Sequence, residues 1–287
     1  MNKEKDWDLI ISPKKSAFDL NLKEVLSFKD LILLFVKRDF IAFYKQTILG
    51  PFWFFIQPLL TAGTFTFLME IIKGGDLSSG AVLFQRFLFM LAGIVGWSYF
   101  QECLVKTANT FNEHKDLFGK VYFPRIVMPL SVVLSNILKY GVQFTFFLIV
   151  LFVYHFTFKS ISFNYTILLL PVLLLVMAMT GLGLGLLISA LTTKYRDFQF
   201  LVRFGIQLLM YFSPVLWRYD ENSPLKFLMD INPMTGIIEV FRHGFLGSEN
   251  GQFNTGLLLY SFVFSVVVFV IGYLVFNKTE KSFMDTV

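Results

Sequence analysis

Long apolar blocks run through most of this chain and leave it few ways to fold. Six of them, at about Pro51–Ile72, Phe87–Val105, Ile126–Phe156, Thr166–Leu191, Phe198–Trp217 and Gly256–Phe276, approach or exceed the roughly 20 residues a helix needs to cross a bilayer. Hydrocarbon offers no water to satisfy backbone groups, so such blocks predict α-helices that bond within themselves. The chain has 287 residues, of which 55% are hydrophobic and 16% charged, well below the about 25% charged of a soluble domain. The predicted fold class is therefore an all-α integral membrane protein with six transmembrane helices. The first fifty residues are mixed and polar and lack the pattern of a cleaved signal peptide. The single cysteine, Cys103, has no partner for an internal disulfide.

Basic residues set the expected orientation. Six of the 25 Lys and Arg (Lys73, Arg86, Lys159, Arg218, Lys226 and Arg242) fall between blocks one and two, three and four, or five and six, and Lys139 lies inside the third block. The other eighteen lie in residues 1–50, 106–125 and 194–203 and at the C-terminus. Cytoplasmic segments carry the excess of Lys and Arg, so both termini are expected in the cytoplasm of a bacterial inner-membrane protein. The net charge of +5 follows from this distribution, and no nucleic-acid partner is expected.

Three segments are not simple spans. Residues 22–50 mix charges into an apolar pattern, and each charge at mid-membrane costs on the order of 3 kcal/mol. They suit an amphipathic helix in the interface, serving either as an anchor or as a coupling element. In the loop after block two, Thr110 and Glu113 have capping-box spacing, Gly119 is placed as a stop, and Phe111, His114 and Phe118 share one face. A small helix there docks on a partner or rests on the bilayer. Between blocks five and six, Met234–Leu246 is too short to span and suits a helix that dips into the outer face or rests on it.

Catalytic chemistry is sparse. His114, His155 and His243 are far apart, no Cys/His metal-ligand spacing occurs, and no G-x-x-x-x-G-K-[ST] phosphate loop is present. Glu102 and Lys139 are placed to pair between spans, as a structural pair or as a proton relay. Gly181, Gly183 and Gly185 predict close helix–helix approach in lipid. Aromatic residues make up 18% of the chain, 37 of them Phe. Trp53, Trp97, Tyr99, Phe100, Tyr211, Phe212 and Trp217 fit an interfacial aromatic belt, or alternatively a sliding surface for sugar rings.

Together the motifs resemble the transmembrane subunit of bacterial type-two ABC exporters of cell-surface polysaccharide, the group handling O-antigen, capsule and teichoic acid. The resemblance runs from about residue 27 to the C-terminus. It rests on Leu33–Asp39, Tyr44–Gly50 with Trp53, Gln57–Leu59, Lys120–Arg125, Met128–Leu130, Tyr195–Asp197, Phe212–Val215, Asn232–Met234, Glu239–Arg242 and the tail Glu280–Asp285. It implies a homodimer with two separate ABC ATPase subunits, which would bind the ATP and magnesium, so no cofactor is expected in this chain. It implies a cytoplasmic tail over 1–21, an interfacial helix over 22–50, a transmembrane domain over 51–276 and a second tail over 277–287. Residues 110–119, with Thr110, Phe111, Glu113, His114, Lys115, Asp116 and Phe118, would couple to the ATPase. Residues 222–247 would form short re-entrant external helices. Lys37, Arg38 and Lys45 would meet membrane lipid headgroups or the diphosphate of a polyprenyl-diphosphate-linked glycan. An exporter of a lipid or drug, an ion-coupled flippase and a membrane glycosyltransferase are the competing functions.

Overall fold

A computed structural model describes residues 22–45, 50–74, 79–113, 123–158, 163–194 and 197–283. The helices are α1 (Leu22–Ser27), α2 (Lys29–Tyr44), α3 (Trp53–Lys73), α4 (Gly80–Glu113), α5 (Val127–Phe158), α6 (Leu170–Lys194), α7 (Phe198–Tyr211), α8 (Lys226–Ile231), α9 (Met234–Leu246) and α10 (Thr255–Phe283). Short 3-10 turns lead into α3 and α6. No strand occurs among the described residues.

Five of these helices (α3, α4, α5, α6 and α10) are long and apolar enough to cross a membrane. The fifth block differs from its expected extent. Its helix stops at Tyr211 after 14 residues, about 21 Å at 1.5 Å per residue, short of a core of about 30 Å. Pro214 explains the stop, because proline cannot continue a helix and disfavours helical geometry just before it. Residues 212–217 continue as turns.

Packing fixes which helix ends share a face. α6 lies between α4 and α10, and Gly181, Gly183 and Gly185 let it sit close to both. A side chain added at Gly181 would meet Cys103 of α4 at 2.8 Å, and one at Gly183 would meet the Phe269 backbone of α10 at 2.7 Å. The alternation puts one glycine against α10 and its two neighbours against α4, as small-residue packing in lipid requires. Gly183→Ala is therefore expected to destabilise by about 1–3 kcal/mol, visible as a lower melting temperature of the detergent-solubilised protein.

The C-terminal ends of α3 and α5 and the N-terminal ends of α4, α6 and α10 define one face of the bundle, here termed the far face. The opposite, near face carries α2, whose Phe35 meets Phe123 at a centroid distance of 6.0 Å and whose Phe40 stacks near Phe54. Leu33 and Leu34 of α2 remain exposed.

α9 is recessed into the far half of the bundle, with all its residues except His243 buried. Its entry is closed by side chains. Asn232 accepts from the Met234 N–H at 3.0 Å and donates to the Leu209 carbonyl at 3.1 Å, while Thr235 donates to the Met229 carbonyl. The α7–α8 connection is tied down where Tyr219 donates to Asp230 at 2.7 Å.

One expected helix start is corrected. Thr110 does not cap a new helix. It lies in the last turn of α4 and donates to the Lys106 carbonyl at 3.1 Å. Capping-box spacing arose there by coincidence within a helix already running. Phe111 is buried and stacked on Phe276 at 4.7 Å, whereas Glu113 is exposed. His114, Lys115, Asp116 and Phe118 lie outside the described residues, as do 1–21 and 284–287.

Candidate functional site

A cavity of about 510 Å³ opens between α3, α4, α5 and α7. Each helix presents polar residues to it at helical spacing. α5 supplies Asn136, Lys139, Tyr140 and Gln143, and α4 supplies Trp97, Ser98, Gln101 and Glu102. α3 adds Trp53, Gln57 and Thr61, while α7 adds Arg203 and Gln207. Residues three, four or seven apart share one helix face, so four otherwise apolar helices turn one polar stripe each towards a common space. Polar groups within membrane helices are costly and are tolerated facing a bundle interior or a water-filled cavity.

Hydrogen bonds hold the walls in register. Ser98 donates to Gln143 Oε1 at 2.7 Å, and Gln143 Nε2 donates to the Phe54 carbonyl at 2.8 Å. α4, α5 and the start of α3 are thereby joined through one amide. Trp97 Nε1 donates to Gln101 Oε1 at 3.0 Å. Glu102 Oε2 lies 3.3 Å from Lys139 Nζ and 3.2 Å from Lys106 Nζ, the interhelical pair that the sequence predicts. The Tyr140 hydroxyl and the Asn136 amide oxygen are buried in this wall with no hydrogen-bond partner among the described residues. Buried polar atoms without partners carry a desolvation cost of about 1–3 kcal/mol, which a hydroxylated guest or water would relieve.

The expected site residues divide accordingly. Trp53 opens onto the cavity, and Trp97 and Tyr99 form part of its wall while almost fully buried. Phe100 does not. It is buried behind Trp97 in an edge-on contact at 5.2 Å. Tyr211 and Phe212 also lie outside the lining, where Met210 stands instead. Trp217 belongs to a separate space near the far face. Lys37 and Arg38 of α2 and Lys45 just after it are exposed, but Arg38 already donates to Asp39 Oδ1 from Nε at 2.9 Å and Nη2 at 2.8 Å. The amide residues Gln57, Gln101, Asn136, Gln143 and Gln207 were not expected. Their signal was present in the third block, where Asn136 and Gln143 stand seven apart, whereas Gln57 and Gln101 are each alone in their blocks.

A second buried feature was also missed. Arg242, counted from sequence as an external cation, is completely buried. Its guanidinium donates to the Phe89 carbonyl at 3.1 and 3.0 Å, to the Val215 carbonyl at 2.6 Å and to the Pro214 carbonyl, and lies 3.5 Å from the Phe89 ring centroid. Glu239 stands 3.6 Å away and accepts from the Gln252 N–H at 3.0 Å. Burial pushes the Glu239 carboxyl up, with Arg242 opposing. One side chain of α9 thus satisfies carbonyls of α4 and of the turn that follows α7.

No group of three or more His, Cys, Asp or Glu among the described residues is placed to hold a metal. A bundle of membrane-crossing helices around a polar, aromatic-walled cavity defines a multi-pass membrane permease. Residues 30–246 match the ABC-2 type transporter family, and the chain belongs to that family. Similar proteins include two from Klebsiella pneumoniae, each named O-antigen export system permease protein RfbA. They are 26% and 25% identical over 258 residues, covering 89% of this chain and 94% of theirs. A protein of the same name from Myxococcus xanthus is 22% identical over 224 residues, covering 77% of this chain and 82% of its own.

Proposed function

We propose that this chain is the membrane permease of an ATP-driven exporter that moves a lipid-linked polysaccharide out of the cytoplasm. The observation that carries this proposal is the cavity, where the exposed Trp53 stands among amides and hydroxyls, with Trp97 and Tyr99 buried in the wall. Aromatic faces accept sugar rings in many registers, and neutral polar side chains exchange hydrogen bonds with hydroxyls without fixing one of them. The relatives, named as O-antigen export permeases, support a glycan cargo.

In this proposal six passes place both termini in the cytoplasm, with the near face inward. α7 and residues 212–217 together make the fifth pass, and α8 and α9 are re-entrant from outside. As the family resemblance implies, two copies work with two separate ATPase subunits, consistent with the absence of a phosphate loop from this sequence. Nucleotide binding by those subunits moves the segment around Glu113–Phe118 and the α2 helix, and the motion reaches α3, α4 and α7 around the cavity. Lys37 and Lys45, exposed on the near face, attract anionic headgroups or the carrier diphosphate by about 1 kcal/mol per basic residue. Arg38 contributes less while Asp39 holds it.

Co-purification tests the energy source. The tagged chain, extracted in mild detergent, is expected to bring down an ATPase subunit in equal amount. Recovery of the chain alone under conditions that preserve such complexes would refute the proposal. Surface-polysaccharide staining of a deletion strain tests the cargo. Reversing charge at Glu113 and Asp116 is expected to abolish export while leaving ATP hydrolysis by the complex, and normal export by that variant would remove the coupling role.

A further inference from the structure

A second polar chamber, of about 400 Å³, lies farther along α3 and α4 and is bounded by the turn after α7. Its lining includes Thr66, Gln85, Arg86, Trp217, Arg218 and Asn250. Arg86 pairs with the buried Glu70. Asn250 Oδ1 accepts from Arg218 Nη2 at 3.3 Å and from Gln85 Nε2 at 3.5 Å. Trp217 and Arg218 are exposed to the chamber side. No carboxylate lies within ion-pair distance of Arg218 among the described residues; its guanidinium is held by Asn250 and feels the more distant buried Glu239.

The two cavities share three elements in the same order. Thr61 of α3 lines the first and Thr66 the second. Ile94 of α4 lines the first and Met90 the second, and Met210 and Leu216 divide in the same way. Met90 and Ile94 are one helical turn apart, about 6 Å along the axis. Between the chambers the packing is apolar: Met90 and Ile94 are buried in the core with Ala62, and Phe65 packs against the same core.

We propose that the chamber at Gln85 and Trp217 is a second saccharide subsite, an exit vestibule, closed from the inner cavity by an apolar septum of Met90 and Ile94. This rests on the glycan-export proposal for the inner cavity. The chamber offers an aromatic face in Trp217, amide and guanidinium donors for hydroxyls, and Arg218 for an acidic sugar substituent. A septum without polar groups excludes water as hydrophobic constrictions do and opens only when the elements bearing it separate.

Cysteine accessibility separates this proposal from the one beneath it. In a Cys103→Ser background, Gln85→Cys and Ser98→Cys report the outer and inner chambers. A charged, membrane-impermeant methanethiosulfonate is applied to the external face of spheroplasts. Ser98→Cys is expected to react more than about tenfold more slowly than Gln85→Cys, because a dewetted constriction bars the charged reagent. Ile94→Ala added to Ser98→Cys is expected to remove most of that difference. Val82→Cys, also in the outer lining, replaces Gln85→Cys if that variant folds poorly. These rates do not depend on any cargo. Equal labelling of both positions without Ile94→Ala, or no labelling at Gln85→Cys and Val82→Cys, would overturn the septum. The adduct at the outer chamber is then expected to halt new surface glycan, each variant being compared with its own unmodified state. The same adduct at Glu249→Cys, in the exposed turn, leaves export running. Continued export past an outer-chamber adduct would overturn the subsite even where the septum stands.

Discussion

Arg242→Met is expected to leave little folded protein in the membrane. The guanidinium accounts for four donations to three carbonyls, those of Phe89, Pro214 and Val215. Methionine fills much of the volume but returns none of these bonds, and it leaves Glu239 buried without its cation. Breaking a buried pair by removing one partner costs about 3–5 kcal/mol, comparable with the whole stability of many domains. Lysine at this position should rescue poorly, because a point charge cannot reach three carbonyls in the fork geometry of arginine. The check is the yield and melting temperature of Arg242→Met and Arg242→Lys in detergent. A melting temperature within a degree or two of the parent would show that α9 is held by apolar packing alone.

The charged group of the cavity should respond asymmetrically. Glu102→Gln removes the carboxylate facing both Lys139 and Lys106 and leaves two ammonium groups close together. The Glu102 side chain is 46% exposed to the cavity, so water screens the pair and a loss of about 0.5–1 kcal/mol is expected. Lys139→Met is milder, because Lys106 stays 3.2 Å from Glu102. The double variant should regain part of the Glu102→Gln loss, and the difference in a double-mutant cycle gives the coupling. Export retained in the double variant would identify a structural pair. Export lost despite intact folding would assign these groups to the transport cycle itself.

Much of this architecture was legible beforehand, for reasons residue by residue. Block length exposed the five long helices because bilayer thickness leaves no other solution. Gly181, Gly183 and Gly185 announced close packing because the absence of a Cβ has one main use in lipid. The short α7 was missed, because apolar content was read through Phe198–Trp217 although Pro214 bars the helix from continuing. Two signals misled. Thr110 and Glu113 match a capping box, yet the stack of Phe111 on Phe276 carries α4 through that point. Arg242 looks like a loop cation, yet it is fully enclosed in the far half of the bundle.

The sequence by itself determined that the chain is helical, that it crosses a membrane and how many apolar segments it has, because these depend on local composition and on the backbone's need for internal hydrogen bonds. Only the tertiary structure decided which polar stripes face one another. Gln57, Ser98, Gln143 and Gln207 lie on four helices far apart in sequence, and each stripe alone resembles a minor interruption. Their meeting in one cavity follows from how α3, α4, α5 and α7 pack, which is a property of non-local contacts. The same holds for Arg242, whose carbonyl partners lie 153, 28 and 27 residues away and become neighbours only when α9 enters the bundle.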